Sequence, residues 1–374
     1  PPDEVDFTAL EQRLKAEARS WQDDFYDALV EHWGEEGGNR LAARYSSAFP
    51  TNYTENFNAE LALHDVESIE TLAEKGDLAL NFYRTIEDPD HMVRFKIFHP
   101  GAAVPLSDCL PMMENMGLKV IGEEPYLVRL GDDQRVWIHD FLLAEPGGEA
   151  IDLTELKGTF EEAFAKVWHG EMENDCFNRL VLKAGLAWRE VVVLRALCKY
   201  LRQTGIAFSQ DYMGDTLANN PAITRLISNL FMVRFDPDDK TRRKRRMDDL
   251  AKGVTAGLEA VESLDEDRIL RRFLNLVQSA LRTNYFQAAD GGGPKPYLSI
   301  KFDSQAVDEL PLPRPFREIF VYSPRVEGVH LRGGMVARGG LRWSDRREDF
   351  RTEVLGLMKA QMVKNAVIVP VGAK

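Results

Sequence analysis

The sequence predicts an α+β protein that is mostly helical and contains several domains. Apolar residues recur at helical spacing in the first 76 residues and again over residues 170–285. Short strand-like runs between these stretches predict an antiparallel sheet module. After the linker Gly291–Pro294 the chain is strand-rich again, which indicates the beginning of an α/β domain. We therefore predict four domains, over residues 1–76, 77–169, 170–290 and 291–374.

The helical parts are predicted from apolar periodicity and from capping residues. The first domain is expected to hold, in order, a helix over residues 7–33 that Gly34 or Gly37 ends, a shorter helix and the polar loop Thr51–Thr54 within residues 38–60, and a helix that Asp65 caps and Gly76 stops. The third domain is expected to close with two long helices, over residues 241–263 and 265–283.

Residues 77–169 are predicted to form a small α+β module. Its elements are, in order, strands over residues 78–83 and 93–98, a helix over 105–116, strands over 118–130 and 136–143, and a helix over 152–168. This order resembles the regulatory ACT domain, in which a glycine-containing loop often binds an amino acid at a dimer interface. The resemblance makes His99, Pro100 and Gly101 a possible effector loop. A plain turn, in a module that only packs or forms an oligomer, is the alternative.

The charge balance argues against nucleic acid as a partner. The net charge is −13, whereas a nucleic-acid binder needs a basic surface to replace phosphate counterions. The run Lys240–Arg246 is basic, but acidic residues flank it and no aromatic residues interrupt it, so we expect a solvated helix start. An acidic protein can still hold an anionic substrate in a local cationic pocket.

Composition also limits location and metal content. The chain has no run of 18 apolar residues and no signal-peptide character, so we expect no membrane segment and a cytoplasmic protein. The three cysteines have no metal-site or redox spacing and are expected to be reduced core thiols. The seven histidines include no HExxH pair, so no metal is expected.

The segment Gly333–Arg347 carries the clearest chemical signal. It contains two Gly-Gly pairs, and Arg338 and Arg342 flank the second pair, Gly339-Gly340. Glycines let backbone amides approach a ligand closely, and guanidinium groups beside such amides suit a carboxylate or a phosphate. The spacing matches neither a dinucleotide fingerprint nor a phosphate-binding loop.

A predicted helix, capped by Ser344 or Asp345, leads from this segment to Lys364. Its inner face is expected to carry four apolar residues, Phe350, Val354, Leu357 and Met358. Lys364 continues that face and either meets a ligand or caps the helix, because the helix dipole favours a cation at the C-terminal end. A buried strand is then expected over residues 366–371, followed by Gly372-Ala373-Lys374 at the position where α/β enzymes place their chemistry.

Three motifs in this part of the chain resemble those of glutamate dehydrogenases: Arg338–Arg342, Lys364-Asn365-Ala366 and Gly372-Ala373-Lys374. The stretch Tyr322–Gly328 is similar to the large bacterial NAD-specific members. The resemblance implies that Lys364 holds the α-carboxylate, that Lys374 is catalytic, and that Arg338 receives the side-chain carboxylate. It also implies that Gly339, Gly340 and Arg342 contact the substrate. Arg338 stands where smaller members have lysine, and the stretch from Lys364 to Lys374 is shorter than theirs.

The resemblance implies the oxidation of L-glutamate by NAD and water to 2-oxoglutarate, ammonium and NADH, in a homo-oligomer. No GxGxxG sequence follows a predicted strand, so NAD is expected to bind to a domain beyond these 374 residues. We therefore expect a fragment of a longer enzyme that is inactive alone, with glutamate or 2-oxoglutarate as partners and an amino-acid effector as a candidate partner. An amino-acid-sensing or oligomerisation module without activity of its own is the alternative.

Overall fold

A computed structural model describes residues 19–131, 134–238, 242–335 and 342–364, except for the side chains of residues 75, 363 and 364. The chain divides into two compact units, with the division after Pro111 and again after Leu153, and residues 112–117 belong to the second unit. Each unit contains a four-stranded antiparallel sheet and several helices. This architecture confirms the predicted α+β class. No described helix is both long and apolar enough to cross a membrane.

The first unit combines three helices with its sheet. Its elements are α1 (Trp21–Tyr45), α2 (Thr51–Asn56), α3 (Ala59–Lys75), β1 (Ala79–Tyr83), β2 (Met92–Pro100), β3 (Lys119–Leu130) and β4 (Gln134–Ala144), and the helix α4 (Leu106–Asn115) contributes residues to both units. The strand order is β1-β2-β4-β3, and every neighbouring pair is antiparallel. The pairing of β3 with β4 has a register shift between Val120 and Gly122.

The core of the first unit lies between α1–α3 and one face of the sheet. Aromatic rings fill it, with Phe49 and Tyr53 stacked at a centroid distance of 4.4 Å. A charge pair is buried in the same layer: the Lys96 ammonium donates to Asp65 at 2.6 Å and lies 3.8 Å from the centroid of the Phe57 ring. Such a pair is tolerated inside a protein because each charge has a partner.

The helix break predicted at Gly34 is confirmed, because this residue has a non-helical φ of 75° and ψ of 171° and separates two helical segments of α1. Two other predictions for the first unit were wrong. The predicted polar loop Thr51–Thr54 belongs to α2, which follows Pro50. Asp65 does not cap α3: the cap is Asn58, whose side chain accepts from the Leu61 amide.

The second unit is mainly helical up to its sheet. Its elements are α5 (Leu153–Trp168), a 3-10 turn (Cys176–Arg179), α6 (Leu180–Ala184), α7 (Trp188–Gln203), α8 (Gln210–Asn219), α9 (Pro221–Phe235), α10 (Arg243–Leu258), α11 (Leu264–Ser279), β5 (Ala280–Thr283), β6 (Leu298–Phe302), β7 (Arg317–Tyr322), β8 (Glu327–Arg332) and α12 (Phe350–Lys364). The strand order is β5-β6-β7-β8, so β8 is an edge strand among the described residues.

Helix α7 is the buried centre of this unit and packs on its sheet. The Tyr200 ring stacks on Phe302 of β6 at 4.6 Å and lies 5.7 Å from Phe320 of β7. Arg195, fully buried on the same helix, makes a two-point contact with the Asp175 carboxylate, with Nη2 at 2.8 Å. The C-terminal end of α7 is thereby held against the strands that precede the predicted site.

Other predictions for the second unit needed correction. The helix predicted over residues 265–283 ends at Ser279, and the last residues form β5, which pairs with β6. Strand β8 was not predicted. The helix expected to be capped by Ser344 or Asp345 begins only at Phe350. The linker Gly291–Pro294 lies in the connection between β5 and β6, and the four-domain division stays a prediction.

The cysteine thiols are free and buried, as expected for core residues. Burial raises the pKa of Cys109 to about 11 and that of Cys176 to about 12. Both thiols are therefore protonated at neutral pH, and neither is an activated nucleophile. No group of three or more metal-ligating side chains lies together among the described residues.

Candidate functional site

A cavity of about 1500 Å³ lies in the second unit beside the edge strand β8. Its walls are the stretch Ser323–Met335, which includes β8, the C-terminal end of α7, the segment Arg342–Glu348 and one face of α12. We call this space the β8 cavity. Small-molecule pockets usually measure roughly 300–1,000 Å³. A small ligand would therefore fill only part of it.

The described lining of the β8 cavity is cationic although the protein is acidic. Six side chains carry a positive charge, namely Lys199, Arg202, Arg325, Arg332, Arg342 and Arg347, and four are acidic, namely Glu173, Glu327, Asp345 and Glu348. The whole chain has a net charge of −13. A local excess of cations in a concave surface concentrates anions, so the cavity suits a ligand with carboxylate or phosphate groups.

Lys199 of α7 bridges two acids at one end of the cavity. Its ammonium lies 3.1 Å from Glu173 and 3.4 Å from Glu327 of β8. Burial lowers the pKa of Lys199, but the two carboxylates outweigh burial and raise it overall. Burial raises the pKa of Glu327, and the positive charge of Lys199 offsets part of this rise. Lys199 is therefore a fixed cation at neutral pH and is not suited to act as a base.

A buried ion pair fastens α12 to the sheet directly behind the cavity. Arg351, on the first turn of α12, donates from Nε to Oε2 of Glu318 on β7 at 2.9 Å and from Nη2 to Oε1. The two side chains are 1% and 0% exposed. Burial lowers the pKa of Arg351, but the hydrogen bonds to Glu318 outweigh it and raise the pKa. The pair thus stays ionised inside the protein.

Helix α7 completes this buried network from the other side. The Tyr200 hydroxyl donates to Oε2 of Glu318 at 2.9 Å. The Gln203 amide accepts from the backbone N–H of Arg351 at 3.1 Å and donates to the carbonyl of Arg347 at 2.7 Å. One side chain of α7 therefore holds both the beginning of α12 and the segment that leads into it.

The segment before α12 presents side chains to the cavity. Arg342 donates to Glu353 of α12 at 2.8 Å from Nε, and its side chain remains 58% exposed. Trp343 is 80% exposed and lines the cavity. Arg202 of α7 pairs with Glu348. The exposed guanidinium and indole groups are available to a ligand, whereas the buried network behind them is not.

Gly333 explains the first Gly-Gly pair in part. A Cβ atom at this position would lie 2.8 Å from the sulfur of Met362 on α12, which is closer than van der Waals contact. At Gly334 a Cβ atom would meet nothing within 4 Å. A larger residue at position 333 would displace the flexible, half-exposed side chain of Met362, so packing favours glycine there but does not require it.

The structure covers only some of the predicted substrate-binding residues. Arg342 lines the cavity as expected. Arg338, Gly339, Gly340 and Lys374 lie outside the described residues. Lys364 is the last residue of α12, and its side chain is not described. The roles of these residues stay predictions.

The contribution of α7 and the buried pair Arg351–Glu318 was not predicted from the sequence. Lys199, Arg202 and Gln203 follow an apolar run at spacings of three and four residues, which places them on adjoining parts of one helix face. Arg351 precedes Leu355 and Met358 at helical spacing, and all three are buried. A charged residue in line with core positions was the available signal.

The possible effector loop lies at the end of β2 in the first unit. His99 and Pro100 are not in a loop but are the last residues of this strand, paired with Trp137 and Val136 of β4, and only Gly101 follows it. Gly101 takes a φ of 80°, and its amide donates to the carbonyl of Arg135 at 2.8 Å. His99 Nδ1 lies 2.9 Å from the carbonyl of Ala102. A Cβ atom at Gly101 would meet nothing within 4 Å, so backbone conformation and not space requires glycine there. This geometry is compatible with a plain turn and with an effector loop.

One buried histidine secures the chain just after this loop. The backbone N–H of Val104 donates to Nε2 of His139 at 3.0 Å. The proton of the imidazole therefore resides on Nδ1, which donates to Glu123 at 2.7 Å. Both ring nitrogens are satisfied, so His139 acts as a structural bridge between β4, β3 and the loop.

The chain matches four family models, each of which describes part of a glutamate dehydrogenase. Residues 28–72 match helical motif 2, residues 77–156 the ACT3 domain, residues 172–237 helical motif 3, and residues 253–374 the catalytic domain of bacterial NAD-glutamate dehydrogenase. The match over residues 77–156 confirms the ACT-type module. The residues behind the β8 cavity belong to two of these regions, since Tyr200 lies in helical motif 3 and Glu318 in the catalytic domain.

Three curated relatives share the name NAD-specific glutamate dehydrogenase. The protein of Halomonas elongata is 51% identical over 373 residues, that of Pseudomonas aeruginosa 45% over 380 residues, and that of Mycobacterium tuberculosis 44% over 368 residues. These matches cover 100%, 99% and 96% of this chain, but only 23%, 23% and 22% of the relatives. The chain therefore spans less than a quarter of the length of the curated relatives that it matches.

Proposed function

Because the chain belongs to the family of bacterial NAD-specific glutamate dehydrogenases, we propose that it supplies part of the substrate pocket of such an enzyme, together with regulatory or assembly modules. The proposed reaction converts L-glutamate, NAD and water into 2-oxoglutarate, ammonium and NADH. The observation that carries the proposal is the cationic lining of the β8 cavity in a chain with a net charge of −13. A dicarboxylate substrate needs such a cluster of cations.

Residues around this cavity are the proposed substrate-binding residues. Arg342 lines it, and the helix that forms one wall ends at Lys364. We propose that Arg338 and Lys364 hold the two carboxylates, that Gly339 and Gly340 allow close approach of the backbone, and that Lys374 is the catalytic lysine. Neighbouring cations and partial burial lower the pKa of a lysine, which then can move protons while water attacks the oxidised substrate.

NAD is the proposed cofactor of the enzyme, and its nicotinamide accepts the hydride. The described residues of the second unit do not fit its pyrophosphate. That group binds at a glycine-rich turn between a strand and the helix that follows directly, whereas β8 and α12 are separated by the long stretch 333–349. We therefore propose that NAD binds to a part of the enzyme that this chain does not include. The steps assigned to this chain are substrate binding and proton handling.

The substrate proposal is tested with the variant Arg342→Ala. Calorimetric titration should show that the unchanged chain binds 2-oxoglutarate. The variant should bind it about tenfold more weakly or worse, since a charge-assisted hydrogen bond is lost. Arg346→Ala is the matched control, because Arg346 lies in the same segment and pairs with Asp349 without lining the cavity. Equal affinities of the two variants, or no binding by the unchanged chain, would contradict the proposal.

A regulatory role of the ACT-type module is a second candidate function, which the family match and the loop around Gly101 favour. Calorimetry with free amino acids should then detect an effector whose binding is lost in Gly101→Val. Gly148→Val is the matched control, because Gly148 also has a positive φ, 76°, with nothing near a Cβ position. Loss of binding in both variants would indicate general backbone damage. If the unchanged chain binds no amino acid, the effector proposal is contradicted.

We further propose a cytoplasmic homo-oligomer. The absence of membrane-crossing helices among the described residues is compatible with this location. Analytical ultracentrifugation of the chain measures the oligomeric state, and a monomer at every concentration would contradict assembly through these modules.

A further inference from the structure

The buried contacts behind the β8 cavity join two regions that the family models treat separately. Glu318 and Arg351 belong to the catalytic-domain match, whereas Tyr200 and Gln203 belong to helical motif 3. Hydrogen bonds of 2.9–3.1 Å connect these four residues, and the second hydrogen bond between Arg351 and Glu318 is shorter. We call these four residues the anchor network. It is the point at which α7, β7 and α12 are tied together.

The position of the anchor network relates it to the cavity. Gln203 lines the cavity, and its amide holds the carbonyl of Arg347, which also lines it. Arg351 follows four residues later on a helix whose residues Val354, Leu357 and Gln361 face the same space. A shift of Arg351 would therefore move the wall that carries Arg342 and the helix that leads to Lys364.

The chemistry of the network favours one fixed geometry. An arginine fork that meets a carboxylate with two parallel hydrogen bonds allows little rotation. Tyr200 occupies a further lone pair of Glu318, and Gln203 uses both ends of its amide group. Burial raises the pKa of Tyr200 far above its ordinary value, with Glu318 adding to the effect, so the phenol remains a donor. The buried charges cannot leave this arrangement without losing all partners.

We propose that Glu318, Arg351 and Gln203 are positioning residues of the substrate pocket: they lock α12 and the segment Arg342–Glu348 onto α7, and this sets the spacing of the cations around the β8 cavity. Helical motif 3, through α7, thereby holds the helix and the segment that line the pocket. The part of the proposal that concerns substrate rests on the function proposed above, whereas the locking of α12 does not.

The test uses the whole chain and a pair of substitutions that preserves folding. Glu318→Gln alone would leave Arg351 buried without a counter-charge and can prevent folding. The double variant Glu318→Leu/Arg351→Met removes both charges and keeps similar volume, so the chain should fold. Arg351→Lys keeps the charge but cannot form the two-point contact. Leu258→Ala is the control, because Leu258 is a buried residue of α10 that does not line the cavity.

The first measurement is hydrogen exchange of backbone amides without ligand. In the double variant, amides of residues 342–357 should exchange at least tenfold faster, while those of α7 and β7 stay protected. Leu258→Ala should leave unchanged the ratio of the exchange rate of residues 342–357 to that of α7 and β7. Unaltered exchange of residues 342–357 in the double variant would overturn the proposal, whatever the chain binds.

The second measurement compares 2-oxoglutarate with pyruvate, which has only one carboxylate. The double variant should bind 2-oxoglutarate at least tenfold more weakly than the unchanged chain and should lose most of its preference for 2-oxoglutarate over pyruvate. Arg351→Lys should have an affinity and a preference between those of the double variant and the unchanged chain. Unchanged affinity and preference, despite faster exchange of α12, would overturn the link between the network and the pocket. If the unchanged chain binds no 2-oxoglutarate, the proposed function fails, and hydrogen exchange alone decides whether the network locks α12.

Discussion

Asp140 shows how single buried charges govern the first unit. It lies on β4 opposite Lys96 of β2, and the Tyr83 hydroxyl donates to its carboxylate at 3.1 Å. Burial raises the pKa of Asp140 to about 6, although the charges of Lys96 and Arg94 oppose this shift. Asp65 also lies in this group and raises the pKa further. The carboxyl group therefore takes up a proton only slightly below neutral pH.

The folded-state pKa of Asp140 exceeds that of the unfolded chain, which is about 3.9. Its contribution to stability is complete below the unfolded value and is lost as the pH rises through about 6. We predict that Asp140→Asn stabilises the first unit by about 1–3 kcal/mol at pH 7.5 and gives no gain at pH 4. Urea unfolding at a series of pH values measures this difference.

Asp88 supplies a control of opposite sign. Burial raises its pKa, but hydrogen bonds from Arg94 and Thr85 outweigh burial and lower it overall. Its stabilising contribution is therefore present above the unfolded pKa and is lost as the pH falls. Asp88→Asn should destabilise the unit at pH 7.5, and stabilisation by both substitutions would contradict the assignment of these two environments.

Among the helices, substitution of two glycines by alanine is expected to change the stability of the second unit in opposite directions. A Cβ atom at Gly214 of α8 would lie 2.6 Å from the sulfur of Cys176, whereas at Gly158 of α5 it would meet nothing within 4 Å. We predict that Gly214→Ala destabilises the second unit by about 1–3 kcal/mol through overpacking. Gly158→Ala should stabilise it by about 0.5–1 kcal/mol, because alanine loses less backbone entropy in a helix.

Thermal unfolding of the two glycine variants beside the unchanged chain measures this contrast. The melting temperature should fall for Gly214→Ala and rise for Gly158→Ala. A fall for both would mean that the space around Gly158 is not open, and a rise for both would mean that α8 does not press on Cys176.

Elements were predictable where local patterns coincide with burial. Strands β1 to β4 alternate or carry apolar runs between turn residues, and each was predicted within a few residues of its bounds. Asp65 misled the prediction because its role depends on a distant partner. Asp65 reads as a helix cap in sequence, but it faces Lys96, which lies 31 residues further along the chain. Local capping rules cannot detect such a contact.

Helix α12 illustrates a prediction that was correct in kind and wrong in detail. Its existence followed from apolar spacing, but its beginning was placed too early, and Leu357, expected to face the core, is 49% exposed. The buried positions are Arg351, Leu355 and Met358. The observed inner face is shifted by one position from the predicted one, because Arg351 is buried through its ion pair with Glu318 on β7.

At the scale of the whole molecule, the candidate site draws on residues that are far apart in sequence. The glycine and arginine motifs near residues 333–347 were visible in the sequence, and Arg342 does line the cavity. The part supplied by α7 was not visible, because Lys199 and Arg202 precede Arg342 by more than 100 residues and match no motif. Only the packing of α7 on the sheet brings them to the same space.

The chain spans 22–23% of the length of its curated relatives, which gives a prediction about activity. We expect the isolated chain to produce no NADH from glutamate and NAD, because its described residues offer no dinucleotide site. An absorbance assay at high protein concentration measures this. Glutamate-dependent NADH production that survives further purification would contradict the proposal that NAD binds to a part of the enzyme outside this chain.

Trp343 would report directly on a dicarboxylate bound in the β8 cavity, because this residue lines the cavity and is 80% exposed. The decisive measurement is the tryptophan fluorescence of the chain during titration with 2-oxoglutarate. We expect a saturable change that is abolished in Trp343→Phe and retained in Trp188→Phe, since Trp188 pairs with Glu162 outside the cavity. A saturable change that persists without Trp343, or no change in a chain that calorimetry shows to bind 2-oxoglutarate, would contradict it.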